Sequence, residues 1–444
     1  MGRALLTDLY ELNMAASYLR RGMTGPATFS LFIRALPHRW GFLVACGLEG
    51  CLRYLEDLAF TEEDLEYLRQ EQGYPEEALE AFATLRFTGD VWAVPEGRVV
   101  FPEEPLLEIT APLPEAQLVE SFLLNQVTFQ TAIASKAARC RLAAPDKTLV
   151  DFSLRRTHGV EAATAVARAT AMVGFSATSN VEAARILDLQ ATGTMAHSYI
   201  QAFPSEMAAF RAFAEDYPDR VILLVDTYDT TAGVEKATRV AADLADRGHR
   251  LAGIRLDSGD LGALARKARS LLDAAGLQDV QVLASGALDE NVIAELERSG
   301  APIDAYGVGT KVGVSADAPY LDSVYKIVSY EGRPVAKLSA AKATRPGSKQ
   351  VWRLPGGAGD VVALREEPGP AGAEPLLVRV MEQGRRSSRE GLRDARDRFA
   401  RELDALPPGL RGLDPEEYEV TESQRLASLE TEVRAAIRAR ELGD

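Results

Sequence analysis

Cysteine and histidine are scarce in this chain, with three of the one and four of the other in 444 residues. The odd set Cys46, Cys51 and Cys140 builds no disulfide scaffold, and so few histidines assemble no zinc framework. The thiols are therefore read as reduced and the protein as cytoplasmic. Positive charge is also short. With 50 Lys and Arg against 65 Asp and Glu, the formal net charge is −15. That excludes a general nucleic-acid binder, which needs a basic face to displace counterions from phosphates. No stretch reaches the roughly 18 uninterrupted apolar residues of a membrane span, and the N-terminal segment meets charge at Asp8 and Glu11 before any long apolar run. Neither secretion nor membrane insertion is expected.

What is present is a 46% hydrophobic composition, enough to bury the cores of two or three domains. Residues 1–114 read as a mixed α+β domain. A helix over 7–22 has Thr7 as its N-cap and Tyr10 in its first turn, and Phe29 to Ile33 form a strand. Helices follow near 46–57, 62–71 (capped by Thr61) and 75–85, then short strands at Val91–Val94, Gly97–Phe101 and Leu106–Ile109. A largely apolar helix over 115–143 dominates a linking segment, 115–146. Residues 331–444 are a C-terminal segment expected to pack on the N-terminal domain and the barrel, with an amphipathic helix over 421–441.

Between them, 147–330 carries the strongest fold signal. Apolar runs at 148–152, 175–178, 191–194, 221–226, 251–256, 280–285 and 303–308 alternate with helix-compatible segments. Repeated β/α alternation requires a parallel sheet covered by helices, either an open doubly wound sheet or a barrel. Polar and Gly-rich clusters follow nearly every strand: Ser153-Leu-Arg155-Arg156, Gly193-Thr194 to His197, Asp226 to Asp229, Arg255 to Asp260, Ser285-Gly286 and Gly307 to Thr310. A barrel brings all these ends to one mouth, whereas an open sheet focuses function at one switch point. The expected fold is therefore an α/β protein. It has an irregular, incomplete (β/α) barrel and a second mixed α+β domain built from N-terminal and later segments.

The stretch Gln190 to Phe203 holds no Asp, Glu, Lys or Arg, and His197 lies at its centre, where a short strand runs into a loop. A lone histidine equally suits a structural hydrogen-bonding role. Its neighbours at the mouth give it chemical company. The turns at Gly286 and at Gly309-Thr310 let backbone amides approach a phosphate, although such loops use glycine for geometry as well. Arg155, Arg156 and Arg255 supply donors for carboxylate or phosphate. Asp226, Asp229, Asp257 and Asp260 either form structural ion pairs with them or hold Mg²⁺ through oxygen, with Asp257 and Asp226 the assigned ligands.

Several motifs together carry a resemblance. Asp8-Leu-Tyr10-Glu-Leu, Phe32-Ile-Arg34-Ala-Leu-Pro37, Ser153-Leu-Arg155-Arg156, Gly193-Thr194-Met-Ala-His197-Ser, Arg255-Leu-Asp257-Ser258-Gly259-Asp260-Leu, Gly307-Val-Gly309-Thr310 and Lys337-Leu-Ser339 with Lys342 and Pro346-Gly347-Ser-Lys349 resemble nicotinate phosphoribosyltransferases. The matches run in the family's order over roughly residues 5–355. The resemblance implies a type II phosphoribosyltransferase fold, a homodimer with shared active sites, and synthesis of nicotinate mononucleotide and pyrophosphate from nicotinate and 5-phosphoribosyl 1-pyrophosphate with ATP hydrolysis. It also implies that Tyr10, Thr194 and Arg255 bind nicotinate, that Thr310 binds the phosphoribosyl group, and that His197 is phosphorylated. Arg155 or Arg156 would then stabilise departing pyrophosphate beside Mg²⁺. The rival readings are a nicotinamide or quinolinate phosphoribosyltransferase, a non-catalytic sugar-phosphate-binding barrel, and a lyase using Lys311 as a Schiff base.

Overall fold

The computed structural model describes residues 3–338, 344–387 and 389–443. Ser339 and Lys342 of the last motif lie outside the described residues. The chain divides into two compact units, 133–319 and a second made of 1–132 with 320–444.

In the unit 133–319, seven short strands form one parallel sheet: β1 (Thr148–Asp151), β2 (Ala177–Thr178), β3 (Gln190–Ala191), β4 (Ile222–Leu224), β5 (Gly253–Leu256), β6 (Gln281–Ser285) and β7 (Ala305–Val308). Leu149, Leu223, Leu224, Ile254, Leu256, Val282, Ala284 and Val308 are wholly buried. Consecutive buried residues such as Leu223-Leu224 mark strands covered on both faces, as parallel sheets are. The strand order is β3-β2-β1-β7-β6-β5-β4. That is a ring with one link missing. The last strand pairs with the first, Val308 opposite Asp151, as barrel closure demands. Among the described residues no ladder joins β3 to β4. The expected incomplete barrel is thus present. Its seam opens beside a two-residue strand with both residues exposed, too short to sustain a ladder.

The helices are α1 (Val160–Met172), α2 (Val181–Leu187), α3 (His197–Gln201), α4 (Glu206–Asp216), α5 (Thr230–Ala245), α6 (Leu261–Ala274), α7 (Glu290–Arg298) and α8 (Thr310–Gly313). Asn180, Ser205, Asp229, Asp260 and Asp289 cap α2, α4, α5, α6 and α7 through side-chain hydrogen bonds to backbone N–H groups. Two of the four rim acids, Asp229 and Asp260, are therefore occupied as helix caps. Buried Lys136 lies 2.6 Å from the fully buried Glu290 and 2.5 Å from Asp317.

The other unit is built on a seven-stranded antiparallel sheet with Pro26–Ile33 near its centre, flanked by Ser323–Tyr330 and Pro105–Pro112. Ser323–Tyr330 lies in this sheet rather than in the barrel sheet. Asp90–Ala93 and Val378–Glu382 extend it. A four-stranded sheet holds Lys349–Arg353 and Asp360–Leu364, and Lys349 is buried against Glu108 at 3.0 Å. The helix Leu9–Arg20 is entered through Asp8, not Thr7. Thr7 Oγ1 instead donates to the Leu118 carbonyl at 2.9 Å, a tertiary bond that takes the hydroxyl expected to cap. Thr61 caps Glu62–Gln70 in a reciprocal box with Asp64, as its sequence indicates. The long apolar helix occurs as two pieces, Leu113–Leu118 and Glu120–Ala143. Among the described residues no helix is long and apolar enough to cross a membrane.

Candidate active site

The C-terminal ends of the barrel strands surround a cavity of about 320 Å³. Phe152, Leu154 and Arg155 reach it from the end of β1 and Ser179 from the end of β2. Gly193 to His197 come from the loop after β3, and Arg255 and Asp257 from β5. A larger cavity, about 400 Å³, lies in the other unit between the helices Leu9–Arg20 and Glu76–Thr84. Its only charged lining residues are Arg20 and Glu77, so nothing there converges on a reacting group. The smaller cavity is the site because polar groups from several strands meet in it.

Arg255 is held at all three nitrogens. Nε donates to Ser285 Oγ at 2.9 Å, Nη1 to Thr194 Oγ1 at 2.9 Å and to the Met195 carbonyl at 3.3 Å, and Nη2 to Asp257 Oδ1 at 3.0 Å. Its guanidinium carbon sits 5.7 Å from the centre of the Phe152 ring, within reach of a cation–π attraction. Burial pushes the Asp257 carboxyl up. The Ser285 hydroxyl and the Arg255 guanidinium outweigh that and hold it below the usual carboxylate range, with His197 adding to the effect.

His197 opens the five-residue α3, and its side chain is 40% exposed. Nδ1 is 3.1 Å from Thr227 Oγ1, and Nε2 is 3.9 Å from Asp257 Oδ2. The second distance is too long for a hydrogen bond, yet a carboxylate facing Nε2 favours the proton on that nitrogen. Nδ1 then keeps its lone pair and accepts from the Thr227 hydroxyl. Asp226 Oδ2 accepts from Asp257 N at 2.9 Å and Ser258 Oγ at 2.8 Å, while its Oδ1 is buried with no hydrogen-bond partner.

The structure brings together His197, Thr194, Arg255, Asp257 and Arg155, all on the cavity wall. Arg156 is exposed and off that wall. Gly286 has φ +84°, and a Cβ there would lie 1.9 Å from the Asp257 carbonyl oxygen, so this glycine permits a close backbone approach between β6 and β5. Gly309 and Thr310 lead into α8, and a Cβ on Gly309 would lie 3.0 Å from the Phe152 carbonyl. Lys311 is ion-paired with Asp289 at 2.6 Å, which speaks against a free Schiff-base amine. Tyr10 stands in the other unit, half exposed on the helix Leu9–Arg20. Sequence reasoning missed Phe152 and Thr227. Their only sequence signal was adjacency to Ser153-Leu-Arg155 and to Asp226.

A seven-stranded incomplete α/β barrel, with an arginine, a histidine and an acid at the mouth beside an aromatic ring, makes a site suited to a small anionic molecule. Three family patterns match in order. They are the nicotinate phosphoribosyltransferase N-terminal domain over residues 5–128, the nicotinate phosphoribosyltransferase family over 147–352 and its C-terminal domain over 365–430. The chain is 47% identical to the nicotinate phosphoribosyltransferase pncB2 of Mycobacterium tuberculosis, covering 94% of this chain and 90% of that one. It is 45% identical to the nicotinate phosphoribosyltransferase of Bacillus subtilis, covering 82% and 76%. The crystal structure of human nicotinic acid phosphoribosyltransferase superposes with a TM-score of 0.87 at 29% identity, over 96% of this chain and 99% of that one. The chain belongs to the nicotinate phosphoribosyltransferase family.

Proposed function

We propose that this protein joins nicotinate to 5-phosphoribosyl 1-pyrophosphate, giving nicotinate mononucleotide and pyrophosphate in NAD salvage, with ATP hydrolysed through a phosphohistidine at His197. The observation that carries the reading is the cavity in which Arg255, Asp257 and His197 adjoin the Phe152 ring. A flat aromatic wall suits a pyridine ring, and a guanidinium beside it suits the carboxylate that distinguishes nicotinate from nicotinamide. The acid-free stretch 190–203 leaves Asp257 as the acid on the wall. Asp257 is committed to Ser285 and Arg255, which supports a pocket that takes a carboxylate rather than an amide.

Arg155, exposed on the same wall, would grip a departing pyrophosphate, and Arg156 stands beside it in the chain. Gly309 and Thr310 are assigned to the phosphoribosyl group, Gly286 to the phosphate rim, and Tyr10 to nicotinate. Asp226 and Asp257 fit Mg²⁺, since both offer oxygen alone and Asp226 Oδ1 is a buried acceptor without a partner. Among the described residues no cluster of three or more His, Cys, Asp or Glu side chains forms a metal cage. An ion that keeps waters and substrate oxygens needs none. Bound there, Mg²⁺ supplies positive charge to the pyrophosphate.

An imidazole nitrogen of His197 attacks the γ-phosphorus of ATP and ADP leaves; for Nδ1 to do so it must first give up the 3.1 Å bond from the Thr227 hydroxyl. The phosphohistidine carries negative charge to the mouth, where Arg155 can answer it. The homodimer is supported by Leu6, Leu9 and Tyr10, apolar side chains about half exposed in one short segment that a second copy would cover. The reading places the enzyme in the cytoplasm, a reducing medium for its three buried cysteines, none of which is in a disulfide.

The test is pyrophosphate release with nicotinate, nicotinamide or quinolinate, with and without ATP, for the wild type and His197→Ala. We expect nicotinate to be the substrate. His197→Ala should lose ATP stimulation and the acid-labile label from γ-labelled ATP while keeping slow ATP-independent transfer. Equal turnover of nicotinamide, or full ATP stimulation in the mutant, overturns the corresponding half of the reading.

A further inference from the structure

The Ser285 hydroxyl stands between two charged groups of the mouth, Arg255 and Asp257. It is 2% exposed, accepts from Arg255 Nε at 2.9 Å and donates to Asp257 Oδ1 at 2.5 Å. The same Oδ1 accepts directly from Arg255 Nη2 at 3.0 Å. Arg255 and Asp257 therefore meet through one direct bond and one bridged by the hydroxyl. Nε and Nη2 form an edge of guanidinium that grips a carboxylate with two parallel bonds. With Nε occupied by Ser285, Asp257 does not close on that edge, and its second oxygen stays turned to His197.

The backbone fixes this arrangement. β5 and β6 pair in register, Leu256 opposite Ala284, which sets Ser285 beside Asp257. At Gly286 the chain comes so close to the Asp257 carbonyl that a Cβ would stand 1.9 Å from it. The hydroxyl therefore has little room to drift from its place between the two side chains.

We propose that Ser285 is a positioning residue that keeps Arg255 available to the carboxylate of the pyridine substrate by preventing the Arg255–Asp257 pair from closing on itself. The inference rests on Arg255 holding that carboxylate. Without the hydroxyl, Arg255 Nε–H and Asp257 Oδ1 are each left short of a partner in a largely buried setting. Rotation of Asp257 onto the Nε/Nη2 edge restores both bonds. It also adds a second bond to the ion pair that Nη2 already makes with Asp257 at 3.0 Å, so that Arg255 is gripped more tightly by the acid than by the substrate, and it withdraws the acid from His197.

The experiment measures KM for each substrate, kcat and thermal melting in the wild type and in Ser285→Ala, Ser285→Thr, Asp257→Asn, Ser285→Ala/Asp257→Asn and Arg255→Ala. Ser285→Ala should raise the KM for nicotinate about tenfold, the loss expected for one hydrogen bond to a charged group. Adding Asp257→Asn removes the acid that closes on Arg255, so the double variant should bind nicotinate no worse than Asp257→Asn alone. Ser285→Thr, which keeps the hydroxyl, should recover most of the nicotinate affinity. An unchanged nicotinate KM in Ser285→Ala, or additive effects in the double variant, overturns the proposal and leaves Ser285 a packing residue. Should Arg255→Ala keep wild-type nicotinate KM, the carboxylate reading falls and the inference with it. An impaired Arg255→Ala beside a normal Ser285→Ala sinks the inference alone.

Discussion

Arg255 is held in place before any substrate arrives, through bonds from Nε, Nη1 and Nη2 to Ser285, Thr194, Met195 and Asp257. Little of the guanidinium is free to move, so its geometry belongs to the resting site. Arg255→Lys keeps the charge and loses the fork, and a lysine cannot serve that many partners in one plane. We expect Arg255→Ala to lower kcat/KM for nicotinate by about 2–5 kcal/mol, and Arg255→Lys to recover less than half of that. Steady-state kinetics with nicotinate as the varied substrate decide it. The sequence made Arg255, His197 and Thr194 legible because each sits in a polar cluster after an apolar run. It left the roles of Ser285 and Thr227 unread, although Ser285-Gly286 and Asp226 to Asp229 were among the same clusters. Their roles depend on which strand end lies beside which, and a hydroxyl one residue from a glycine or an acid carries no mark of that in the chain. Asp229 and Asp260 looked like rim acids for the same reason, since a cap and a ligand are the same residue type in the same loop.

Among the elements, the helix Leu9–Arg20 carries the clearest titration signal. Glu11 is wholly buried, with Gln117 Nε2 donating to it at 2.6 Å. Burial pushes its carboxyl from 4.5 up to about 7. The Tyr10 hydroxyl pulls it back and the Glu120 charge adds to the rise. A carboxyl raised on folding makes the native state bind more protons than the unfolded chain, so its contribution to stability is full below about pH 4.5 and is lost as pH rises through about 7. Glu11→Gln should therefore flatten the fall of melting temperature over that window and leave the protein more stable than the wild type at pH 8. A steeper fall in the variant would contradict this. The β/α alternation was legible because a buried parallel strand must be apolar on both faces. The cap of this helix was not, since Thr7 looked suitable and its hydroxyl goes to Leu118. Tertiary contacts choose between local options that sequence leaves equal.

In the whole molecule one unit is built from two separated segments, 1–132 and 320–444, with 133–319 inserted between them along the chain. Pro26–Ile33 has Ser323–Tyr330 as its partner on one side, and Asp90–Ala93 has Val378–Glu382. Cutting the chain after 319 would bare two strand edges that carry Phe29, Leu31, Ile33 and Val91, all buried in the intact protein. We expect the fragment 1–319 to aggregate on expression, measured as the fraction left in the supernatant against the full chain. A monomeric, cooperatively melting fragment would show that the early strands need no late partner.

That order along the chain also has a meaning in time. Arg34 and Asp322, which meet at 3.3 Å beside these strands, are 288 residues apart in the chain. At about 5–20 residues per second a ribosome needs roughly 15–60 s to travel that distance. Over roughly the last 190 residues of it, about 10–40 s, the first half of the host body, 1–132, waits with an open, apolar edge while the inserted barrel is finished strand by strand. The guest is complete before the house is closed. Anything that slows translation between residues 133 and 319 lengthens the wait of the early strands, so the yield of folded protein should depend on how fast the barrel segment is made as well as on how stable it is.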